Sequence, residues 1–240
     1  MQSFSQYVKL LPFSRGIRYH KAMVRTVNLW SDFQSTIDKA CESLMKGHII
    51  AVPTDTIYGI AGLAQNSDAV KRMYDIKSRD LSKPIAISVA DIEDLYKWGK
   101  IHVPKKLLCD LLPGPVTVVV ERSDDLNPDL NPNTSLVGIR IPDHTFIREL
   151  ARVCQGPLAL TSANISGTLS PLNIKEFENI WHKLDLICDD GALGNTTSAR
   201  QGSTVVDLSI EGEYKIIREG SALKSTLDIL QTKYKLKERI

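Results

Sequence analysis

Residues 49–89 read IIAVPTDTIYGIAGLAQNSDAVKRMYDIKSRDLSKPIAISV, and this stretch decides how the rest of the chain is interpreted. It opens with a β-branched run that Pro53 closes, which predicts a buried strand because proline cannot donate to a sheet ladder. A hydroxyl-rich turn follows at residues 54–59, and then a helix that Asn66 or Ser67 can cap. Residues 85–89 predict the next strand. This order predicts an α/β sheet, and such sheets bind ligands at the carboxyl ends of strands.

Three cations stand between the predicted helix and the following strand: Lys77, Arg79 and Lys83, with only Asp80 among them. Cations held against strand edges suit a polyanion such as a nucleoside triphosphate, and an arginine can fork two phosphate oxygens. A lone K-x-R is more often a solvated charge pair. The nucleotide interpretation therefore depends on agreement with other segments.

Such agreement comes from eight short motifs that follow one another along the chain: PTDTIYG at 53–59, KSR at 77–79, SKPI at 82–85, PGPVT at 113–117, GIRIP at 138–142, TSAN at 161–164, STVVD at 203–207 and IREG at 217–220. Together they resemble the YrdC family, most closely its single-domain animal members. The resemblance covers nearly everything from residue 49 to residue 220. It implies a single YrdC-like α/β domain, with an open twisted mixed β-sheet flanked by helices and a concave ligand site.

Composition limits the other possibilities. The chain has 240 residues, 42% of them hydrophobic, which is enough for one sizeable core. It contains no G-x-x-x-x-G-K-[ST], no G-x-G-x-x-G and no G-x-S-x-G, and its five histidines show no metal-ligand spacing. These absences argue against phosphate-loop, serine-hydrolase and zinc-enzyme classes. The four cysteines, Cys41, Cys109, Cys154 and Cys188, are far apart in sequence and are predicted to be buried thiols in a reducing compartment.

Charge is concentrated at the N-terminus. Residues 1–31 hold five cations and no acid, so the rest of the chain has 25 cations against 28 acids, a net charge of −3 within a total of +2. A duplex-RNA-binding protein is expected to carry a cationic surplus across its fold. The distribution therefore argues against one hypothesis for the function, in which the chain is a non-catalytic module of the same fold that binds tRNA or double-stranded RNA. A third hypothesis is an interaction domain docked on a larger tRNA-modifying assembly.

The predicted domain organisation has three parts. Residues 1–31 form a basic extension, with the composition either of a mitochondrial transit peptide or of a disordered tail. Residues 32–230 form the catalytic domain, and residues 231–240 form a C-terminal tail. Met23 is a possible internal start for a cytosolic form, so the expected localisation is both cytoplasm and mitochondrion. No apolar run approaches the length of a membrane span.

Two segments of the predicted sheet bear on the site. Residues 116–120, VTVVV, predict a central strand too uniformly apolar to have a wet face. The strand at 136–141 contains Arg140, whose charge must reach solvent, an acid or a ligand anion. Beside strand-end hydroxyls, Arg140 is a candidate clamp for a carboxylate.

The resemblance also implies an activity and its residues. YrdC-family members make L-threonylcarbamoyladenylate from L-threonine, bicarbonate or CO2, and ATP, releasing pyrophosphate. By this resemblance Lys77 and Arg79 are the expected catalytic residues, with no metal ligand set in the protein and with Mg²⁺ accompanying ATP. The expected ATP residues are Lys77, Arg79, Lys83, Ser162, Asn164 and Arg218. The expected threonine residues are Thr56, Arg140, Ser162 and Ser203. Ser88 stands where some members have histidine, which leaves its role open.

The same resemblance implies a place in tRNA modification. The adenylate is the first intermediate of N6-threonylcarbamoyladenosine in ANN-decoding tRNAs. The expected partner is a tRNA threonylcarbamoyl transferase, of KEOPS type or its mitochondrial counterpart, and direct tRNA contact is possible.

Overall fold

The computed structural model describes residues 24–77, 83–165, 167–194 and 198–239. Within these residues twelve strands form one mixed sheet. The strands are β1 Arg25–Asn28, β2 Ile50–Val52, β3 Gly59–Leu63, β4 Ala86–Ser88, β5 Gly99–Lys100, β6 Val116–Arg122, β7 Leu136–Arg140, β8 Leu158–Ser162, β9 Leu186–Asp189, β10 Thr204–Asp207, β11 Glu213–Arg218 and β12 Lys237–Glu238. The strand order is β1-β9-β2-β3-β8-β4-β7-β6-β10-β11-β12, with β5 paired to β6 off this path.

Helices flank the sheet. The α-helices are α1 Phe33–Met45, α2 Ser67–Lys77, α3 Ile92–Trp98, α4 Lys105–Leu111, α5 Thr145–Val153 and α6 Leu223–Leu227, and 3₁₀ and π segments cover Ile174–Lys183, Ser198–Gln201 and Asp228–Lys233. Capping side chains fix where α1 and α2 begin: Asp32 accepts from the Ser35 amide, and Asn66 accepts from the Ala69 amide at 3.0 Å. The mixed α/β sheet flanked by helices confirms the predicted fold class.

One face of the sheet is apolar along its length. Because side chains alternate across a strand, Ile60, Ile87, Val118, Ile139 and Val206 all point to the same side. There they join one buried cluster with residues of α2, α3 and α4. This face is the main hydrophobic core.

The opposite face has two halves. Over β9, β2, β3 and β8, side chains such as Ile50 and Leu158 pack under α1 and α5 in a second buried cluster. The two helices also touch each other, with the rings of Phe33 and Phe146 edge to face at 6.0 Å between centroids. We call this the covered half. Over β4, β7, β6, β10 and β11 the same face lines a cavity instead, and we call this the open half.

The structure corrects the predicted domain boundaries. Residues 25–28 lie in the predicted extension but form β1, which pairs in parallel with β9. Residues 237–238 lie in the predicted tail but form β12, which pairs with β11. The folded part therefore begins before Asp32 and continues past residue 230. Short strands at sheet edges carry weak alternation, which is why the pattern did not reveal them.

Two other predictions are corrected. Strand β6 is interior to the sheet, as predicted, but Thr117 and Val119 line the cavity, so the strand does have a ligand-facing side. The cysteines are not uniformly buried, since Cys109 is exposed and Cys41 is intermediate. No helix among the described residues is both long and apolar enough to cross a membrane.

Candidate functional site

A cavity of about 480 Å³ lies on the open half of the sheet. Small residues form its floor: a Cβ built on Gly138 would come within 3.0 Å of the Thr117 methyl, and one on Gly59 would meet the Leu160 side chain at 2.7 Å. Its lining contains Thr54, Ile57, Gly59, Lys83, Pro84, Ile85, Ala86, Thr117, Val119, Thr134, Leu136, Gly138, Arg140, Leu160, Thr161, Ser162, Ser203, Val205, Ile217 and Arg218. The wall is therefore partly apolar, with polar groups contributed by the ends of several strands.

Arg140 is the buried cation of the cavity, with 6% of its surface exposed. Its Nη2 donates to Asp55 Oδ1 at 2.5 Å and to Thr56 Oγ1 at 3.4 Å. Asp55 is fixed in turn, because its Oδ2 accepts from the Asp143 amide at 2.9 Å. Burial lowers the pKa of the Arg140 guanidinium; the Asp55 carboxylate opposes this shift, and the positive charge of Arg218 adds to it. Two guanidinium groups thus repel each other at this cavity, which favours an anionic ligand.

Two buried polar atoms at the Arg140–Asp55 pair have no hydrogen-bond partner among the described residues. Ser88 and Arg140 are partners in the parallel ladder of β4 and β7, so their side chains share the face of the open half. The Oγ of Ser88 and the Nε of Arg140 are both buried, and neither has a hydrogen-bond partner among the described residues. Buried polar groups are normally paired. Arg140 therefore keeps donor capacity beyond its bond to Asp55.

A second polar group lies across β6, β10 and β11. The hydroxyls of Thr117 and Ser203 are 2.8 Å apart. Arg218 Nη2 donates to the Ser203 carbonyl oxygen at 2.7 Å and to its Oγ at 3.1 Å. The Arg218 side chain is exposed and also lines the cavity, so its guanidinium lies at the mouth.

Lys77 is bound by the TSAN turn. The residue is 2% exposed, and its Nζ donates to the Ser162 carbonyl oxygen at 2.7 Å and to Ser162 Oγ at 3.2 Å. It also donates to the carbonyl oxygen of Asn164, whose own amide donates to Thr168 O at 2.6 Å. Lys77, the last residue of α2, is therefore hydrogen-bonded to the end of β8. Its charge lies beside Ser162, which lines the cavity.

The structure thus brings most predicted residues to one place. Lys83, Arg140, Ser162, Ser203 and Arg218 line the cavity. Three others, Lys77, Asn164 and Thr56, are absent from the described lining. Lys77 and Thr56 hydrogen-bond the lining residues Ser162 and Arg140, and Asn164 is bound to Lys77. Arg79 lies outside the described residues.

The sequence prediction does not include Asp55 or Thr117, which bond Arg140 and Ser203. Asp55 lies in the PTDTIYG motif, and a strand-interior arginine needs an acid, but the sequence gives no way to choose among the acids. The signal for Thr117 is its hydroxyl in VTVVV, since a polar side chain in a buried strand needs a partner.

Nearby acids at residues 189 and 190 bond other parts of the fold: Asp189 Oδ1 accepts from Tyr58 OH at 3.3 Å, and Asp190 Oδ2 lies 3.0 Å from His144 Nε2. Tyr58 OH donates to the Gly191 carbonyl oxygen at 2.8 Å and accepts from the Asp190 amide at 2.8 Å. Burial raises the pKa of the Tyr58 phenol, which therefore stays protonated.

Among the described residues no group of three or more His, Cys, Asp or Glu could hold a metal ion. Asp55, the carboxylate paired to the cavity's arginine, already has both oxygens engaged, so these residues do not fit a resident magnesium ion.

Comparison with known proteins places these features in a family. Residues 42–220 match the family model Sua5_yciO_yrdC, described as "Telomere recombination". The human protein named threonylcarbamoyl-AMP synthase is 52% identical over 199 residues, covering 82% of this chain and 71% of that protein. The mouse protein of the same name is 49% identical over 208 residues, covering 86% of this chain and 74% of the relative.

Solved structures agree in fold. The crystal structure of Pyrococcus abyssi Sua5 complexed with L-threonine has a TM-score of 0.76 and 27% identity, covering 91% of this chain and 63% of that one. Escherichia coli YciO has a TM-score of 0.73 at 22% identity, covering 82% of this chain and 95% of that one, and shows the fold alone.

Proposed function

Because the chain belongs to the Sua5–YciO–YrdC family, we propose that it is a threonylcarbamoyl-AMP synthase, a nucleotidyltransferase. It joins L-threonine, bicarbonate or CO2, and ATP into L-threonylcarbamoyladenylate and releases pyrophosphate. The relatives that are about half identical carry the name of this enzyme. The alternative of a non-catalytic RNA-binding module is therefore not favoured.

The observation that carries the proposal is the buried pair of Arg140 and Asp55 beside a hydroxyl-lined cavity. The Asp55 carboxylate engages Nη2 of the guanidinium and holds it in place. The remaining donor capacity suits the carboxylate of a bound amino acid, because arginine and carboxylate match in planar geometry. In this proposal Thr56, Ser162 and Ser203 complete the threonine side of the site.

Hydroxyl recognition gives the site its selectivity. A pocket that hydrogen-bonds a substrate hydroxyl rejects an isostere without it, because its own polar groups would stay unpaired. The paired hydroxyls of Thr117 and Ser203, which line the cavity, are such groups. Valine has the shape of threonine without the hydroxyl, so it is the competitor that the site has to exclude.

ATP is proposed to occupy the cationic side of the cavity. Lys83 and Arg218 line it, Lys77 holds the turn with Ser162 and Asn164, and we retain Arg79 as the fourth cation. The apolar wall formed by Leu136, Val205 and Ile217 offers a surface for the base. Any magnesium would arrive as the Mg–ATP substrate complex, since the described residues do not form a site of their own for it.

The reaction needs positioning and charge neutralisation rather than a nucleophilic side chain. The neutral threonine amine captures CO2 as a carbamate, and a carbamate oxygen attacks the α-phosphorus in line with the departing pyrophosphate. Negative charge grows on the phosphoryl oxygens in that transition state, and fixed cations stabilise it without reorganising. Arg140 holds one reactant, Arg79, Lys83 and Arg218 hold the other, and Lys77 adds its charge from the turn that it binds.

The wider role is also proposed. The adenylate would pass to a tRNA threonylcarbamoyl transferase, of KEOPS type or its mitochondrial counterpart, with or without direct tRNA contact by this chain. The acid-free composition of residues 1–31 supports a form directed to mitochondria, and a start at Met23 would supply the cytoplasmic form. Blotting both fractions with an antibody to the folded part tests this idea, and one species of one length in every fraction would refute it.

The test of the enzymatic proposal is pyrophosphate release from ATP by the purified chain, with threonine and bicarbonate omitted in turn and with serine and valine as competitors. Release that requires both substrates and prefers threonine is expected. A folded protein that releases no pyrophosphate under any combination, or that releases it without threonine, would contradict the proposal.

A further inference from the structure

Two of the four thiols lie side by side on the covered half. The Sγ atoms of Cys41, in α1, and Cys154, which ends α5, are 3.5 Å apart, although the residues are 113 positions apart in sequence. Both are free cysteines. Among the described residues no other pair of cysteine sulfurs is within hydrogen-bonding distance. The pair takes no part in the proposed reaction, because Cys154 belongs to the buried cluster of the covered half and Cys41 packs against that cluster.

We propose that Cys41 and Cys154 are an oxidation site, at which a peroxide converts the dithiol into a disulfide that joins α1 to α5. A disulfide needs its sulfurs about 2.05 Å apart, so the two sulfurs have to approach by about 1.5 Å. Cys41 lies in α1 and Cys154 directly follows α5, and the contact between these two helices already includes Phe33 and Phe146. The geometry therefore favours this partner over any other.

The chemistry balances within the pair and the oxidant. Cys41 is the more accessible of the two, so its thiolate attacks a peroxide oxygen and the O–O bond breaks. Cys41 becomes a sulfenic acid, and the leaving oxygen takes up the proton that the Cys41 thiol released and departs as water or alcohol. The Cys154 sulfur then attacks the Cys41 sulfur, the S–O bond breaks, and the departing oxygen takes the Cys154 proton as water. Two thiols lose one electron each, and the peroxide gains both. Burial raises the pKa of the Cys154 thiol, so Cys154 is the poorer first nucleophile of the two.

The other cysteines serve as internal controls. Cys109 is exposed, so it reports ordinary surface oxidation. Cys188 is buried, and burial raises its pKa, so it is expected to stay reduced. Neither should gain an intramolecular partner.

The disulfide is expected to stabilise the fold without changing the reaction. It would link segments that are distant in sequence and so restrict the unfolded chain, with a rise in Tm of about 5–10 °C. Arg140 ends β7 before α5 begins, whereas Cys154 lies beyond the other end of that helix. Oxidation should therefore leave pyrophosphate release within about two-fold of the reduced protein.

The experiment treats the full chain with hydrogen peroxide, blocks remaining thiols with a maleimide, and maps linked peptides by mass spectrometry after digestion without reductant. We expect one linked pair, Cys41 with Cys154, reversal by dithiothreitol, and the rise in Tm. Cys109→Ser should keep both results, whereas Cys154→Ala should lose both.

A different pattern overturns the proposal: Cys41 oxidised to a sulfinic acid while Cys154 is labelled, a link through Cys109, or no link at all. If Cys154→Ala does not fold, Cys41→Ser replaces it, because Cys41 is less buried. The peptide map of the unmutated chain decides the question without either variant.

Discussion

The covered and open halves belong to one face of one sheet, yet they differ in what lies over them. On the covered half, Ile50, Val52 and Leu158 meet two helices and exclude solvent. On the open half no helix of the described chain seals the cavity, and Arg140, Thr117 and Ser203 line it. One half therefore provides stability, and the other keeps polar groups in place for a ligand.

The fold separates stability from ligand binding by assigning them to different halves of this face. The apolar cluster on the far face runs under both halves, so the strands of the open half are held without a cover of their own. Polar side chains there can stay fixed and partly unsatisfied, as Ser88 Oγ and Arg140 Nε are. Such groups lower stability unless a ligand pairs with them. Substitutions matched between the halves should separate stability from activity.

The largest effect is expected from Lys77→Met. It removes a charge close to the proposed phosphate site, so the rate of pyrophosphate release should fall about 10²–10³-fold. It also leaves the carbonyl oxygens of Ser162 and Asn164 without this donor, so the free energy of unfolding should fall by about 1–3 kcal/mol. Lys71→Met, on an exposed position of the same helix, is the control. Near-normal turnover by a folded Lys77→Met protein would remove Lys77 from the site.

Arg140→Lys should follow. A lysine keeps the charge but cannot fork a carboxylate while it also pairs with Asp55, so the KM for threonine should rise about 10²-fold and the KM for ATP much less. Arg152→Lys is the matched control, because Arg152 pairs with Asp91 on the covered side, with 40% of its side chain exposed. An unchanged threonine KM would show that Arg140 is structural.

A pair of valines compares the halves directly. Val52 is fully buried on the covered half, and its replacement by alanine should lower the free energy of unfolding by about 2–3 kcal/mol. Val119 borders the cavity, so Val119→Ala should cost about 1 kcal/mol or less, because little new void forms. Chemical denaturation measures both, and substrate KM values should move only for Val119→Ala. Equal losses of stability would refute the distinction between the halves.

The fold class and part of the site could be predicted from the sequence alone. The ordered motifs predicted the fold class, and they placed Arg140, Ser162, Ser203 and Arg218 at one site. They could not predict that Asp55 is the acid beside Arg140, since that depends on two strand ends meeting across the sheet. Nor could periodicity reveal β1 and β12, which are too short to show alternation and depend on the neighbour they pair with. The Cys41–Cys154 contact has the same origin in tertiary packing.

The smallest predicted effect concerns pH. Arg200 hydrogen-bonds Glu176, and this bond holds the pKa of the Glu176 carboxyl below its ordinary value. Since the pKa is lower in the folded protein, the pair stabilises the fold above the unfolded pKa and loses this effect as pH falls through the folded pKa. Both side chains are partly exposed, so the effect should be below about 1 kcal/mol. Glu176→Gln should flatten the stability profile measured from pH 6 down to about pH 3; an unchanged profile would show that the pair contributes nothing.

We propose that the adenylate forms in the cavity of the open half. Val205→Trp fills that cavity from β10, and Val153→Trp adds the same bulk at an exposed position of α5. Mass spectrometry would measure threonylcarbamoyladenylate made by each protein from threonine, bicarbonate and ATP, after thermal unfolding has established that both are folded. At least a ten-fold loss is expected for Val205→Trp, about 1.4 kcal/mol in the barrier, and none for Val153→Trp. Adenylate formation at the normal rate by a folded Val205→Trp protein would contradict it.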